Sequence, residues 1–173
     1  PARFDMKKLE AINGDKIRAL SPEDFLKWSL PFLTNAGIIT GTDAELTLVK
    51  LALPIIQERI VKLDEIPAML KFLFVKEFAI ESDSKEKIKD DQSKQVLKRA
   101  LEVLEPLASW THDSIEGALR AALIEEMGLK PRIAFGAVRI AATGSHISPP
   151  LFESMELLGK EASISRIKGA ISL

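Results

Sequence analysis

Apolar side chains recur every three or four positions along most of this chain, which is the spacing of amphipathic α-helices. Two such stripes are the clearest, one in each half of the sequence. Their residues are Leu46, Val49, Leu53, Ile56 and Ile60, and then Val96, Leu97, Ala100, Leu101 and Leu104. No segment alternates apolar and polar residues as a strand would, and no fixed-length repeat occurs. The pattern therefore predicts an all-α fold, an irregular helix assembly.

Capping residues, prolines and glycines set the expected helix ends. Ser21 before Pro22 predicts a helix that ends before Gly37. Asp43 is the expected N-cap of the next helix, and Pro54 is expected to kink that helix by removing a backbone donor. The later helices are expected to begin at Pro67, near Val96, at Thr111 or Asp113, and at about 131, 150 and 161, with Gly128, Gly144 and Gly159 as stops.

Residues 81–95, ESDSKEKIKDDQSKQ, are almost wholly polar and interrupt the apolar pattern. Such a stretch is typical of an exposed connection between packed segments. We therefore predict two helical subdomains, 21–82 and 83–173, preceded by a separate segment over 1–20. Trp28 and Trp110 lie among apolar helix positions, so both are expected in the core or between the subdomains.

Composition narrows the class of protein. The 173 residues are 46% hydrophobic and 28% charged, which suits one sizeable core or two small ones. There is no Cys, and His112 and His146 are far apart, so neither a disulfide framework nor a metal site is expected. No apolar run approaches the roughly 18 residues of a membrane span. We expect a cytoplasmic protein that does not contact a membrane.

The net charge of −1 argues at first against nucleic-acid binding, which usually needs a surplus of Lys and Arg. The charges are, however, unevenly distributed. Residues 1–20 hold five basic and three acidic side chains, residues 21–129 hold thirteen and nineteen, and residues 130–173 hold six and three. Basic surpluses at both ends of an acidic body fit limited contact with a polyanion, although surpluses this small also arise by chance.

Catalytic motifs are missing from the sequence. It contains no glycine-rich phosphate loop, no GxSxG turn and no HExxH motif. Adjacent carboxylates such as Glu125 and Glu126 point in different directions on a helix. His146 has no nucleophile, base or metal ligand near it in the sequence. We therefore expect no catalytic residue, no metal ligand and no cofactor site in this chain.

The window GAVRIAATGSHISPPLFESMELLGKE, residues 136–161, is far more specific. Its Arg-x-Ala-x-Thr-Gly core, Ser-Pro pair, Leu-Phe-Glu and final Leu-Gly-Lys-Glu resemble, in order and spacing, the C-terminal signature of glutamyl-tRNA synthetases. Two further segments resemble the same class I family, namely Phe4-Asp5 through Asn13-Gly14 and Gln57-Glu58-Arg59-Ile60. The resemblance covers essentially the whole chain and corresponds to the anticodon-binding region of the bacterial-type enzyme.

The resemblance carries several implications. Residues 1–20 correspond to the end of the family's stem-contact segment, and the two subdomains correspond to its anticodon-binding helices. The catalytic domain, with its ATP and magnesium, would lie outside this chain, which should bind glutamate tRNA but be inactive alone. We expect a monomer that does not bind DNA. Ala11 and Lys16 replace aromatic residues that are common in the family, so the contacts of those aromatics are not expected here.

The resemblance also implies a set of RNA-binding residues. Arg139, Ser148, Pro149 and Leu151 would contact the first two anticodon bases. Arg59 would recognise the third base, which is C for glutamate and G for glutamine. Lys8 would face the sugar-phosphate backbone of the stem. These roles follow from the resemblance and not from composition or spacing.

Two alternatives remain open on the sequence alone. Arg59 is positioned to form an ordinary surface ion pair with Glu58 or Glu65, and lysines of the opening segment also suit a solvated helix face. A helical protein-interaction scaffold with no RNA role is the competing functional hypothesis. The Arg139 to Leu151 segment separates the two functions, because a scaffold has no particular need for an arginine near a Ser-Pro-Pro turn.

Overall fold

The structure, a computed structural model, describes residues 5–173. It divides into two compact units, one ending at Val75 and the other spanning Lys76–Leu173. Within the described residues, all regular secondary structure is helical, which confirms the all-α prediction. Phe4, part of the opening motif, lies outside the described residues. No helix of the described chain is long and apolar enough to cross a membrane.

The first unit contains four α-helices, and a 3-10 turn at Leu63–Glu65 leads into the last of them. The helices are α1 (Met6–Arg18), α2 (Pro22–Asn35), α3 (Asp43–Gln57) and α4 (Ile66–Phe74). As predicted, Ser21 caps α2, because its side chain accepts a hydrogen bond from the Asp24 N–H at 3.1 Å. The largest fully buried side chains of this unit form its core: Phe25, Leu33, Ile56, Ile60, Ile66 and Leu70.

The structure differs from the sequence-based expectations for the first unit at the cap of α3 and at Trp28. The N-cap of α3 is Thr42 and not Asp43, because Glu45 three residues after Thr42 completes a reciprocal capping box. Pro54 lies inside α3, which continues to Gln57, and the kink expected at this proline stays a prediction. Of the two places expected for Trp28, the core is excluded, since 55% of this residue is exposed.

The second unit contains six α-helices, and a π-helical segment at Arg120–Glu126 extends the third of them. The helices are α5 (Ser82–Glu86), α6 (Asp91–Leu104), α7 (His112–Leu119), α8 (Pro131–Thr143), α9 (Leu151–Leu158) and α10 (Lys160–Ile171). Helix α6 packs against α7, α8 and α10, and α9 packs against α7. The rings of Phe135 and Phe152 meet edge to face, with 5.2 Å between centroids, and join α8 to α9.

The polar stretch 81–95 is more than a connection. It contains α5 and the start of α6, and Ser84 and Ile88 within it are buried. The units divide after Val75, whereas the polar pattern placed the boundary after residue 82. Residues before α5 pack within the second unit: the Glu81 N–H donates to the Gly144 carbonyl at 2.9 Å, and the Phe78 ring lies under the Arg166 guanidinium.

Candidate nucleic-acid interface

Helix α8 presents Arg139 and ends in a left-handed glycine that turns the chain into a loop. Gly144 has a φ of 82°, which residues with a Cβ rarely adopt. A Cβ there would also lie 2.9 Å from the Ala79 carbonyl oxygen. The Thr143 hydroxyl donates to the Arg139 carbonyl at 2.8 Å and closes the last turn. Glycine is therefore required at 144 for both backbone conformation and space, and it directs residues 145–150 back towards Arg139.

Arg139 is half-buried and is bound to this loop. Its Nη1 donates to the Ser148 hydroxyl at 2.9 Å, to the Pro149 carbonyl at 2.6 Å and, more weakly, to the Ser148 carbonyl at 3.3 Å. A guanidinium with several well-placed acceptors loses most of its rotamer freedom before any ligand arrives. The structure thus brings together Arg139, Ser148 and Pro149, three of the residues that the family resemblance implies.

The other loop residues are less accessible than expected. Ser148, Pro149 and Leu151 are buried, and only 3% of Leu151 is exposed. Ile147, which the sequence did not single out, is 63% exposed. In the structure as described, the apolar side chain that the loop offers to a ligand is Ile147, while Leu151 supports the loop from beneath.

His146 fastens the loop to α5, a contact that sequence reasoning missed. Its backbone N–H donates to the Ser84 hydroxyl at 3.0 Å, and its Nδ1 lies 2.9 Å from the same oxygen. Nδ1 also lies 3.4 Å from a carboxylate oxygen of Asp83. Because Ser84 is 62 residues from His146 in sequence, no local spacing could have revealed this pair.

Arg166 of α10 supports the C-terminal end of α8 from below. Its Nη1 donates to the Ala142 carbonyl at 2.8 Å, and its guanidinium stands 4.0 Å from the centroid of the Phe78 ring. Burial lowers the pKa of Arg166 to about 10, which still leaves the side chain charged at neutral pH. The hydrogen bond from Arg166 to the Ala142 carbonyl and the cation–π contact with Phe78 therefore hold the residues at the start of the loop.

A cleft of about 810 Å³ opens beside Arg139 on the exposed side of α8. Arg132, Gly136 and Arg139 line it from α8, Lys87 lines it from the turn after α5, and His146 lines it from the loop. The cleft lies wholly within the second unit. It places several cationic side chains on one concave surface next to the fixed guanidinium.

In the first unit, Arg59 follows the C-terminal end of α3, and its backbone is held in place. Its backbone N–H donates to the Ile56 carbonyl at 2.9 Å, and the adjacent Ile60 is fully buried. The Arg59 side chain is exposed and makes no hydrogen bond or ion pair with any residue in 5–173. The alternative of an ion pair with Glu65 is not realised, since that carboxylate instead accepts the Lys62 N–H at 2.9 Å.

Helix α1 packs beside this segment through one face. Gln57 donates from Nε2 to the Ile17 and Leu20 carbonyls at 2.9 and 3.0 Å, and Asn13 donates to the Val61 carbonyl. Lys8 is exposed and lies nine residues before the buried Ile17, which places it on the opposite face of the helix. Lys8 is thus accessible to a ligand on the outer side of α1.

The described residues contain no group of three or more His, Asp or Glu side chains close enough to hold a metal ion. The Arg139 guanidinium is fixed in the second unit, and the Arg59 guanidinium has no hydrogen-bond partner within residues 5–173 of the first. Both present hydrogen-bond donors that suit recognition of a ligand.

Known proteins that resemble this chain share its helical architecture. It is 48% identical over 175 residues to a glutamate–tRNA ligase of Nocardioides sp. and 48% identical over 172 residues to that of Rhodococcus jostii, covering 99% and 98% of this chain. The chain spans about a third of these relatives, 36% and 35% of their lengths. A glutamate tRNA ligase structure from Elizabethkingia meningosepticum superposes with a TM-score of 0.72 at 23% identity, covering 99% of this chain and 33% of that one, and so shares the fold.

A family model described as an anticodon binding domain matches residues 24–171. The match includes both Arg59 and the Arg139 to Leu151 segment and extends over most of the first unit and nearly all of the second. The interaction-scaffold hypothesis finds no support in these comparisons. The chain belongs to the anticodon-binding domain family.

Proposed function

We propose that this chain binds glutamate tRNA through the anticodon and holds it for ATP-dependent aminoacylation by the catalytic domain of a longer glutamate–tRNA ligase. The observation that carries the proposal is the Arg139 guanidinium, which three hydrogen bonds fix against the Ser148-Pro149 turn. The relatives named above, of which this chain matches about a third, support the identity of the parent enzyme.

The physical basis is the recognition of unpaired bases. Proteins recognise single-stranded RNA loops by splaying out the bases, stacking them and hydrogen-bonding their edges. A planar guanidinium can bind a base edge through two donors, which is worth on the order of 1–3 kcal/mol of discrimination. An arginine already held in place loses less conformational entropy on binding. Arg139 meets these conditions at the rim of an open cleft.

Within this proposal the site residues take different parts. Arg139 contacts the first two anticodon bases, and the turn of Ser148 and Pro149, supported by buried Leu151, sets the shape of that surface. Arg59 contacts the third base and separates glutamate from glutamine tRNA, a role that suits an exposed side chain with no partner in residues 5–173. Lys8 contacts the phosphate backbone of the stem.

The chain acts as a monomer in the cytoplasm and contributes binding only. Aminoacylation, with its ATP and magnesium, belongs to the catalytic domain of the parent, so the chain alone binds tRNA without charging it. Its role is to place the acceptor end of the tRNA at a distant active site.

Titration of the chain with glutamate tRNA and with an unrelated tRNA tests the proposal. Binding is followed by fluorescence anisotropy at about 50 and 200 mM salt, because phosphate contacts make affinity salt-dependent. We expect tighter binding of glutamate tRNA at both concentrations. Equal affinity for the two tRNAs, or no binding of either, would contradict the proposed function. Absence of any binding would favour the hypothesis of a helical protein-interaction scaffold.

A further inference from the structure

The cleft beside Arg139 is larger than the contact of one guanidinium with one base requires. Its volume of about 810 Å³ lies within the range of sites that hold small organic ligands. Beyond Arg139 it is lined by residues that the proposed function leaves unused, chiefly Lys87, Arg132 and Gly136. These residues come from two elements, the turn after α5 and the first two turns of α8.

The cations of the cleft are not neutralised by the protein. The side chains of Lys87 and Arg132 are exposed and have no ion pair or hydrogen bond within residues 5–173. The one carboxylate that lines the cleft, Asp90, caps α6 by accepting from the Ser93 N–H at 2.9 Å and the Ser93 hydroxyl at 2.7 Å. These hydrogen bonds lower the pKa of Asp90, so its carboxylate stays ionised. The lining nevertheless keeps a positive surplus, because Lys87, Arg132 and Arg139 face this single carboxylate.

The surface between the cations is open. Arg132, Gly136 and Arg139 are separated by four and three residues, so they lie along one face of α8. A Cβ built on Gly136 would meet nothing within 4 Å. The absence of a side chain there leaves the backbone of α8 uncovered between two arginines.

We propose that this cleft binds a further unpaired nucleotide of the RNA, adjacent to those that Arg139 contacts, with its phosphate between Lys87 and Arg132 and its base over Gly136. The proposal rests on the proposed function, because the same strand must first reach Arg139. The cleft is a phosphate site joined to the base-recognition site, and it extends the contact with the loop by one nucleotide.

The test uses the whole chain and an anticodon stem-loop RNA of glutamate tRNA. Dissociation constants are measured across a salt series for the wild type, Lys87→Gln, Arg132→Gln and the double variant. Lys27→Gln/Lys98→Gln removes the same charge from exposed positions outside the cleft and serves as the control. Each phosphate contact to a single strand contributes about 0.7 to the slope of log K against log salt.

We expect the slope to fall by about 0.7 in the double variant, because the one phosphate contact is lost, by no more than that in either single variant, and by little in the control. A double variant whose slope equals that of the control overturns the cleft assignment while leaving the proposed function intact. If the wild type itself fails to bind the stem-loop, the proposed function fails, and this inference falls with it.

A second measurement locates the phosphate. Stem-loops in which one loop phosphate at a time is replaced by an uncharged methylphosphonate are bound to the wild type and to the double variant. We expect one replacement to weaken wild-type binding about fivefold or more and to have no effect on the double variant, because the contact is already lost. If every replacement weakens both proteins equally, the cleft does not hold a phosphate.

Discussion

Arg139 and Arg59 are both arginines, but their surroundings in the structure are opposite. Arg139, in the second unit, is half-buried and donates to a hydroxyl and two carbonyls. Arg59, in the first unit, is exposed and unpartnered within residues 5–173, although its backbone is anchored by the buried Ile56 and Ile60. One guanidinium is held by the protein itself, and the other has no side-chain partner within residues 5–173.

The difference separates two ways of using an arginine. A free Arg side chain carries about 2 kcal/mol of rotamer entropy that binding must overcome, whereas a held one has lost much of it on folding. Under the proposed function, the held Arg139 couples RNA affinity to the stability of the protein, whereas Arg59 affects recognition alone. Substitutions that move affinity and stability together, or apart, test this contrast.

Arg139→Ala should have the largest effect. We expect RNA affinity to fall roughly 100-fold, about 2.7 kcal/mol, because a base contact and the fixed geometry of the loop are both lost. The free energy of unfolding should fall by about 1–3 kcal/mol, since the Ser148 hydroxyl and the Pro149 carbonyl lose a charged donor. Anisotropy titration and urea denaturation measure the two effects. An affinity loss without any change in stability would show that the loop does not depend on this arginine.

Gly144→Ala should affect the loop without removing any RNA-contacting group. The positive φ and the close Ala79 carbonyl should together lower the free energy of unfolding by about 1–3 kcal/mol. Gly128→Ala is the matched control, because Gly128 also has a positive φ, 66°, but a Cβ there meets nothing within 4 Å. The difference between the two variants in urea denaturation isolates the contact with residue 79. Equal losses would mean that backbone conformation alone accounts for the glycine.

Arg59→Gln should change specificity without changing stability. In the full-length parent enzyme we expect the ratio of glutamate-tRNA to glutamine-tRNA charging to fall about tenfold, within the 1–3 kcal/mol range of a bidentate base contact. Thermal melting of the isolated chain should be unchanged, since Arg59 makes no side-chain hydrogen bond within residues 5–173. An unaltered charging ratio would remove Arg59 from the recognition of the third base.

Glu45→Gln should have the smallest effect, confined to the first unit and visible through pH. One oxygen of Glu45 accepts from the backbone N–H of Thr40, Gly41 and Thr42 and from two threonine hydroxyls. These contacts, the Thr42 N–H foremost, lower the pKa of Glu45 from 4.5 to about 2. A lowered folded pKa adds stability above pH 4.5 that is lost as pH falls towards 2. The stability difference between wild type and variant should therefore shrink between pH 5 and pH 2 in urea denaturation.

Local signals predicted the helices well where a cap and an apolar stripe coincided. Ser21 and Thr111 cap the helices that were predicted to begin there, and Gly144 ends α8 in the left-handed conformation. The correct cap of α3, Thr42, could have been identified from the sequence, since Thr42 and Glu45 have the spacing of a capping box. Two candidate caps were adjacent, and only the reciprocal partner distinguishes them.

Long-range contacts could not be predicted in the same way. Arg139 bonds to Ser148, nine residues away, and the acceptors at Ser148 and Pro149 include main-chain carbonyls, which no sequence pattern marks. The burial of Leu151 depends on how α8 and α9 pack. The one apolar residue among charged neighbours in α5 and the turn after it, Ile88, gave no periodic signal although it is buried.

The exposure of Trp28 has a practical consequence for spectroscopy. The chain has two tryptophans, one in each unit, so each unit carries its own intrinsic fluorophore. Trp110 is half-buried and donates from Nε1 to the Met155 carbonyl at 2.8 Å, whereas more than half of Trp28 already faces solvent. Emission changes on unfolding should therefore report mainly the second unit, and Trp28→Phe would make fluorescence a monitor of that unit alone.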